Sequence, residues 1–153
     1  MDLWRSRSSG VCSRIKNDRL PLLKNIFSRS TRMGNRMRTI AIIDDNPSML
    51  KGLDRLLSAH GFHVRTFTSA ELFLENLPAC EVDCLLLDIH LGGISGIDLQ
   101  RRLTSSGTDL PVIFMTAIDN EATRQEAFDA GCVAYLRKPF LANLLIDAIN
   151  KVP

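Results

Sequence analysis

The chain has no zinc-type cysteine spacing. For Cys12, Cys80, Cys84 and Cys132 a structural role is the expectation, rather than a cysteine-built zinc centre. Cys84 and Cys132 lie inside apolar runs, where free cysteine acts as a small buried hydrophobe, and this usage fits a reducing compartment. No uninterrupted run approaches the roughly 18 apolar residues of a membrane span. No apolar core follows Arg5 and Arg7, so no secretory signal is evident and the cytoplasm is the expected location. The three histidines, His60, His63 and His90, do not form a cluster. Catalysis by a histidine centre is therefore a poor starting point.

Charge, by contrast, is present and unevenly divided. Residues 1–38 carry ten Lys or Arg against two acids, a net of +8, while the remainder carries nine against fifteen, a net of −6. A basic arm precedes an acidic globule. The arm is rich in Arg and Ser, punctuated by Gly10, Pro21 and Gly34, and only Leu20 to Phe27 could form a short apolar patch. Disorder is the expectation for most of it. Such a tail is ordinarily solvated chain, with binding to nucleic acid or an anionic surface as the alternative. Met33 and Met37 are alternative starts, since the ordered pattern begins at Thr39. The 153 residues suffice for one domain with a sizeable core and not for two full ones.

From Thr39 onward, strand and helix periods alternate. Strands are predicted at 39–43, 62–67, 82–87, 111–115 and 132–136, and helices at 47–59, 69–76, 96–105, 120–129 and 140–150. Met49, Leu53, Leu56 and Leu57 mark one face of the first helix, which Gly61 ends. Ser69, and Asn120 or Asp119, are N-cap candidates. Phe140, Leu144, Leu145, Ala148 and Ile149 are read as the inward face of the last helix. Units of this length imply right-handed crossovers. The fold class is therefore α/β, a (βα)5 doubly wound five-stranded parallel sheet. The order 2-1-3-4-5, flavodoxin-like, brings the acidic strand ends together.

Those strand ends carry the chemistry. The run Ile40-Ala-Ile-Ile closes on Asp44-Asp45, and Cys84-Leu-Leu-Leu closes on Asp88. Three carboxylates gathered at one sheet edge repel one another, and a hard cation, Mg2+ with Mn2+ as the variant, reconciles them. Asp44, Asp45 and Asp88 are the expected metal ligands, with the backbone carbonyl of His90. Asp88 is the expected nucleophile, since a carboxylate can accept a phosphoryl group. Thr116 offers a hydroxyl to a phosphoryl oxygen and Lys138 a mobile cation. Any one of these alone reads as a cap, a strand residue or a solvated charge. Together they point to phosphoryl chemistry. His90, two residues past Asp88, is a candidate modulator of water access rather than a base.

The chain resembles the receiver domain of two-component response regulators over residues 39 to about 150. The resemblance rests on Asp44-Asp45, Asp88, Thr116-Ala117 and Lys138-Pro139-Phe140 in order, with Tyr135 three residues before Lys138 and Gly96 eight past Asp88. It implies Mg2+-dependent transfer to Asp88 from a phosphohistidine on a sensor histidine kinase or histidine phosphotransfer protein. It also implies a cis Lys138–Pro139 bond, and Thr116 and Tyr135 as switch residues. Arg65-Thr-Phe-Thr-Ser-Ala-Glu and Val133-Ala-Tyr-Leu-Arg-Lys-Pro-Phe look like receivers that precede a helix-turn-helix output.

Two departures stand out. Gly92-Gly93 occupies the loop where family members commonly carry Pro four residues after the phosphoacceptor, which predicts a looser loop. Also, the sequence ends at Lys151-Val-Pro153, which favours a stand-alone receiver over a truncated one. Output is then expected through protein–protein contacts, homodimerisation among them, with no nucleic-acid binding by the receiver itself. The alternatives are a DNA-binding transcription regulator, a dedicated phosphatase and a pseudo-receiver scaffold. The absence of a positioned acid–base argues against the phosphatase, and the complete acid, Thr and Lys set argues against the scaffold.

Overall fold

The computed structural model describes residues 36–153; the readings made for residues 1–35 lie outside the described residues. The order is β1 (Thr39–Ile43), α1 (Pro47–Ala59), β2 (His63–Phe67), α2 (Ala70–Asn76), a 3-10 turn (Leu77–Ala79) and β3 (Cys84–Asp88). There follow α3 (Gly96–Ser105), β4 (Val112–Thr116), α4 (Glu121–Asp129), β5 (Ala134–Arg137) and α5 (Ala142–Asn150). All pairings are parallel and the strand order is 2-1-3-4-5. The central strands β1, β3 and β4 read as continuous apolar runs because both their faces are covered.

Alternation along each strand divides the core in two. Ala41, Ile43, Leu85, Leu87, Val112 and Phe114 face α2, α3 and α4, with Phe73, Leu99, Leu103 and Ala127 in the same cluster. Ile40, Ile42, Cys84, Leu86, Ile113 and Met115 face α1 and α5, meeting Leu50, Leu53, Leu57, Leu145 and Ile149. Asn46, Ser69, Ser95 and Asn120 each accept a backbone N–H at a helix start. Gly61 has φ +83° and ends α1 as the sequence suggests.

Two readings need correction. Leu144 is 48% exposed, and Phe140 precedes α5 rather than belonging to it. Because the helix begins at Ala142, the buried stripe is Leu145, Ala148 and Ile149, which leaves Leu144 on its solvent edge. Cys132 is only half-buried, since it sits in the turn after Gly131 and ahead of β5. The basic segment also has a described junction. Arg38 donates to the carbonyls of Ile149 and Val152, 3.1 Å each, at the C-terminus of α5.

Phe73 is fully buried and meets Phe67 edge-on at 5.4 Å. Phe73→Ala should cost about 3–5 kcal/mol in urea unfolding, whereas Leu144→Ala should stay within about 0.5 kcal/mol. Equal losses would contradict this division of inward and outward faces.

Candidate functional site

Parallel pairing sets the site. Ile43 pairs with Leu87, so the next residues, Asp44 and Asp88, leave adjacent strands together. Asp88 pairs in turn with Met115, and Thr116 with Arg137, which brings Thr116 and Lys138 to the same edge. One oxygen from each of Asp44, Asp45 and Asp88 lies within 4.8 Å of the others. Asp44 and Asp88 are buried and Asp45 is exposed.

Lys138 bridges the two buried acids. Its Nζ lies 2.6 Å from Asp44 Oδ2 and 3.0 Å from Asp88 Oδ2. Burial alone would pull the Lys138 amine down. Its hydrogen bonds to Asp44 and Asp88, with their charges, outweigh that and raise it above the usual lysine range. It therefore stays an ammonium at neutral pH, and its contribution to stability fades only as pH rises through this raised value. The remaining oxygens are bound to the backbone. Asp44 Oδ1 accepts from Asn46 N–H at 2.9 Å and Asp88 Oδ1 from His90 N–H at 3.1 Å. The Lys138–Pro139 bond is cis.

The donor set, three carboxylates, suits a hard oxygen-seeking cation and not a thiophilic one. Each buried carboxylate keeps lone-pair capacity after the bonds above, and Asp45 faces solvent, so the cluster fits such an ion on chemical grounds.

A family model described as the response regulator receiver domain matches residues 40–150. The chain belongs to the response regulator receiver domain family. It is 34% identical over 122 residues to the transcriptional regulatory protein TdiR of Thauera aromatica, covering 80% of this chain and 53% of that one. It is 35% identical over 101 residues to the transcriptional regulatory protein FixJ of Bradyrhizobium diazoefficiens, covering 66% and 49%. A response regulator receiver protein from Burkholderia phymatum superposes with a TM-score of 0.68 at 40% identity, over 75% of this chain and 94% of that one. The chain spans about half the length of the curated relatives it matches.

Within the receiver, Thr116 and Tyr135 point elsewhere than at Asp88. The Thr116 hydroxyl donates to Ile118 O at 2.8 Å and accepts from Ile118 N–H at 3.1 Å. His90 Nδ1 is 3.2 Å from the same oxygen. With the hydroxyl proton committed to Ile118, His90 Nδ1 is the donor of that pair. Tyr135 is half-buried and donates to Asp119 Oδ1 at 3.2 Å, with Phe128 packed beside it and Arg124 over its ring at 5.7 Å. Arg124 grips both oxygens of Asp119, at 3.0 and 2.9 Å.

Sequence reasoning named Asp119 only as an alternative helix cap. Asn120 takes that role, and nothing local links Asp119 to a tyrosine sixteen residues on. The Gly92-Gly93 loop has a tertiary partner that the sequence did not suggest. Glu71 of α2 accepts from Ile94 N–H at 3.0 Å, so the loop is tied down. In the sequence Glu71 reads merely as an acid in a helix's first turn, a favourable place for the dipole.

Tyr135 is the sole tyrosine of the chain, so its ionisation can be read directly by ultraviolet difference absorbance. Burial, then the hydrogen bond to Asp119 and that carboxylate's charge, raise its phenol above the ordinary value. The wild type should titrate above pH 10, and Asp119→Asn should bring the midpoint down by removing the charge. Coincident midpoints would show that Asp119 does not hold Tyr135 in solution.

Proposed function

We propose that this receiver is a phosphoacceptor switch in which Asp88 takes a phosphoryl group from a phosphohistidine on a sensor histidine kinase or histidine phosphotransfer protein. The observation that carries the reading is the Lys138 ammonium held between two buried carboxylates at the carboxyl edge of the sheet. A carboxylate oxygen of Asp88 attacks phosphorus, forming an O–P bond as the N–P bond breaks. The departing imidazole keeps the electron pair and acquires its proton from solvent.

The residues act in distinct roles. Lys138 moves with the charge, exchanging part of its contact with Asp88 for the incoming phosphoryl oxygens. Asp44, Asp45, Asp88 and the His90 carbonyl would hold Mg2+, or Mn2+, which would supply charge neutralisation to the phosphoryl oxygens. Thr116 gives up Ile118 O to donate to the phosphoryl group. The loop that follows then shifts, Asp119 with it, and Tyr135 is released. The signal is a change of population between two conformers, and it needs the phosphorylated state to favour one of them.

Output runs through protein–protein contacts on the surface formed by α4, β5 and α5, where Phe128, Val133, Leu141 and Leu144 are exposed. Homodimerisation is one form of that output. The second reading is the receiver of a DNA-binding transcription regulator. It is favoured by relatives described as transcriptional regulatory proteins, in which the matched region makes up about half of the length.

Incubation with acetyl phosphate and Mg2+, followed by intact-mass measurement, should show one added phosphoryl group. The adduct should be absent from Asp88→Ala and from wild type with the metal chelated. An adduct persisting on Asp88→Ala would refute the assignment. Separately, Asp45→Asn should weaken Mn2+ binding, read by electron paramagnetic resonance, on the order of tenfold, with the fold unchanged because Asp45 is exposed.

A further inference from the structure

The loop between β3 and α3 is anchored at both ends. Ile89 N–H donates to Met115 O at 2.9 Å, and Gly96 N–H returns to Ile89 O at 3.0 Å. A Cβ at Gly96 would lie 2.2 Å from Asp88 O, so the helix starts against the acceptor's own backbone. These bonds hold residues 89 and 96 and leave the tip, residues 91–94, to be held by something else. Glu71 holds it. Its carboxylate takes the Ile94 N–H at 3.0 Å, and a Cβ at Gly93 would stand 2.5 Å from Glu71 Oε1. Glycine at 93 is thus what allows the carboxylate to seat. Leu91 and Ile94 pack against the core cluster beneath. The Ile94 bond, followed by weaker local contributions, lowers the Glu71 carboxyl from its ordinary value, which keeps it an acceptor at neutral pH.

Resting on the phosphoacceptor reading, we infer that Glu71 is a positioning residue for the reaction at Asp88. By seating on Gly93 and binding Ile94 N–H it fixes the loop that carries His90. His90 N–H bonds Asp88, and its ring bonds Thr116. A tertiary hydrogen bond here does what a stiff residue within the loop would do by covalent restraint. Loss of the bond lets His90 drift, and reacting groups that are misplaced react more slowly even when the donor still binds.

The experiment is phosphorylation by phosphoramidate with Mg2+, followed by intact mass as a function of donor concentration, in wild type, Glu71→Ala, Glu71→Gln and Gly93→Ala. Glu71→Ala removes the acceptor. Gly93→Ala pushes the flexible end of Glu71 aside without changing charge, and Glu71→Gln retains an oxygen to accept from Ile94. Expected is a saturating rate reduced about threefold to tenfold in Glu71→Ala and Gly93→Ala, with half-saturation within about twofold. Glu71→Gln should stay within about twofold of wild type, and amide exchange of residues 91–95 should accelerate only in the two slow variants.

Three results overturn the inference. Unchanged rates in all variants despite faster exchange would make the tether merely structural. A Glu71→Gln variant as slow as Glu71→Ala would make charge rather than the hydrogen bond responsible. A rise in half-saturation alone would make the effect one of donor binding. Failure of the wild type to take any phosphoryl group is a different result, because it removes the phosphoacceptor reading and the inference with it.

Discussion

The constraint on which this receiver depends is the repulsion among carboxylates at one sheet edge. Two such groups 4–5 Å apart repel by roughly 3–4 kcal/mol at an effective dielectric of about 20. Asp44 and Asp88 are nonetheless buried side by side. Lys138, 2.6 and 3.0 Å from them, supplies the charge that makes the arrangement tenable. It can do so only because β5 lies beside β4 and places its C-terminal end at the same edge. The strand order and the two-sided core both bear on delivering that one ammonium.

Around this pair the loops are organised as separate, tethered units. Asp88 and His90 are tied to each other through the backbone, Thr116 to its own turn, and Tyr135 to Asp119 and Arg124. In this conformation Thr116 and Tyr135 have partners other than the acceptor. Under the proposed phosphorylation one set of hydrogen bonds would be exchanged for another, so both end states would be ordered. The cost of leaving the first set limits how much the second is populated.

Legibility varied along the chain for physical reasons. The elements of the central sheet were readable because apolar runs ending in Asp, and amphipathic helices with caps, are local patterns. Asp44, Asp45, Asp88, Thr116 and Lys138 were readable because each stands at the end of such a run. Asp119 and Glu71 were not, because their partners are distant in sequence and each reads, in the sequence, as an ordinary cap or first-turn residue. The partner of the Gly92-Gly93 loop was hidden for the same reason. Glycine suggests looseness when its neighbours are unknown, yet here it makes room for a carboxylate from another helix. Leu144 shows the smaller failure, in which an apolar residue at the edge of a helical stripe is exposed once the helix start is known.

By itself, then, the sequence determined the alternation of strands and helices, the presence of a carboxylate, hydroxyl and lysine set, and its likeness to receivers. These follow from periodicity and from residue types at strand ends. The tertiary structure alone decided which carboxylates share Lys138, where Thr116 and Tyr135 rest, and what steadies the loop beyond Asp88. Apart from Thr116, which rests on Ile118 two residues on, those are contacts between segments sixteen to ninety-four residues apart. Their distances are set by parallel register and helix packing, which no local pattern encodes.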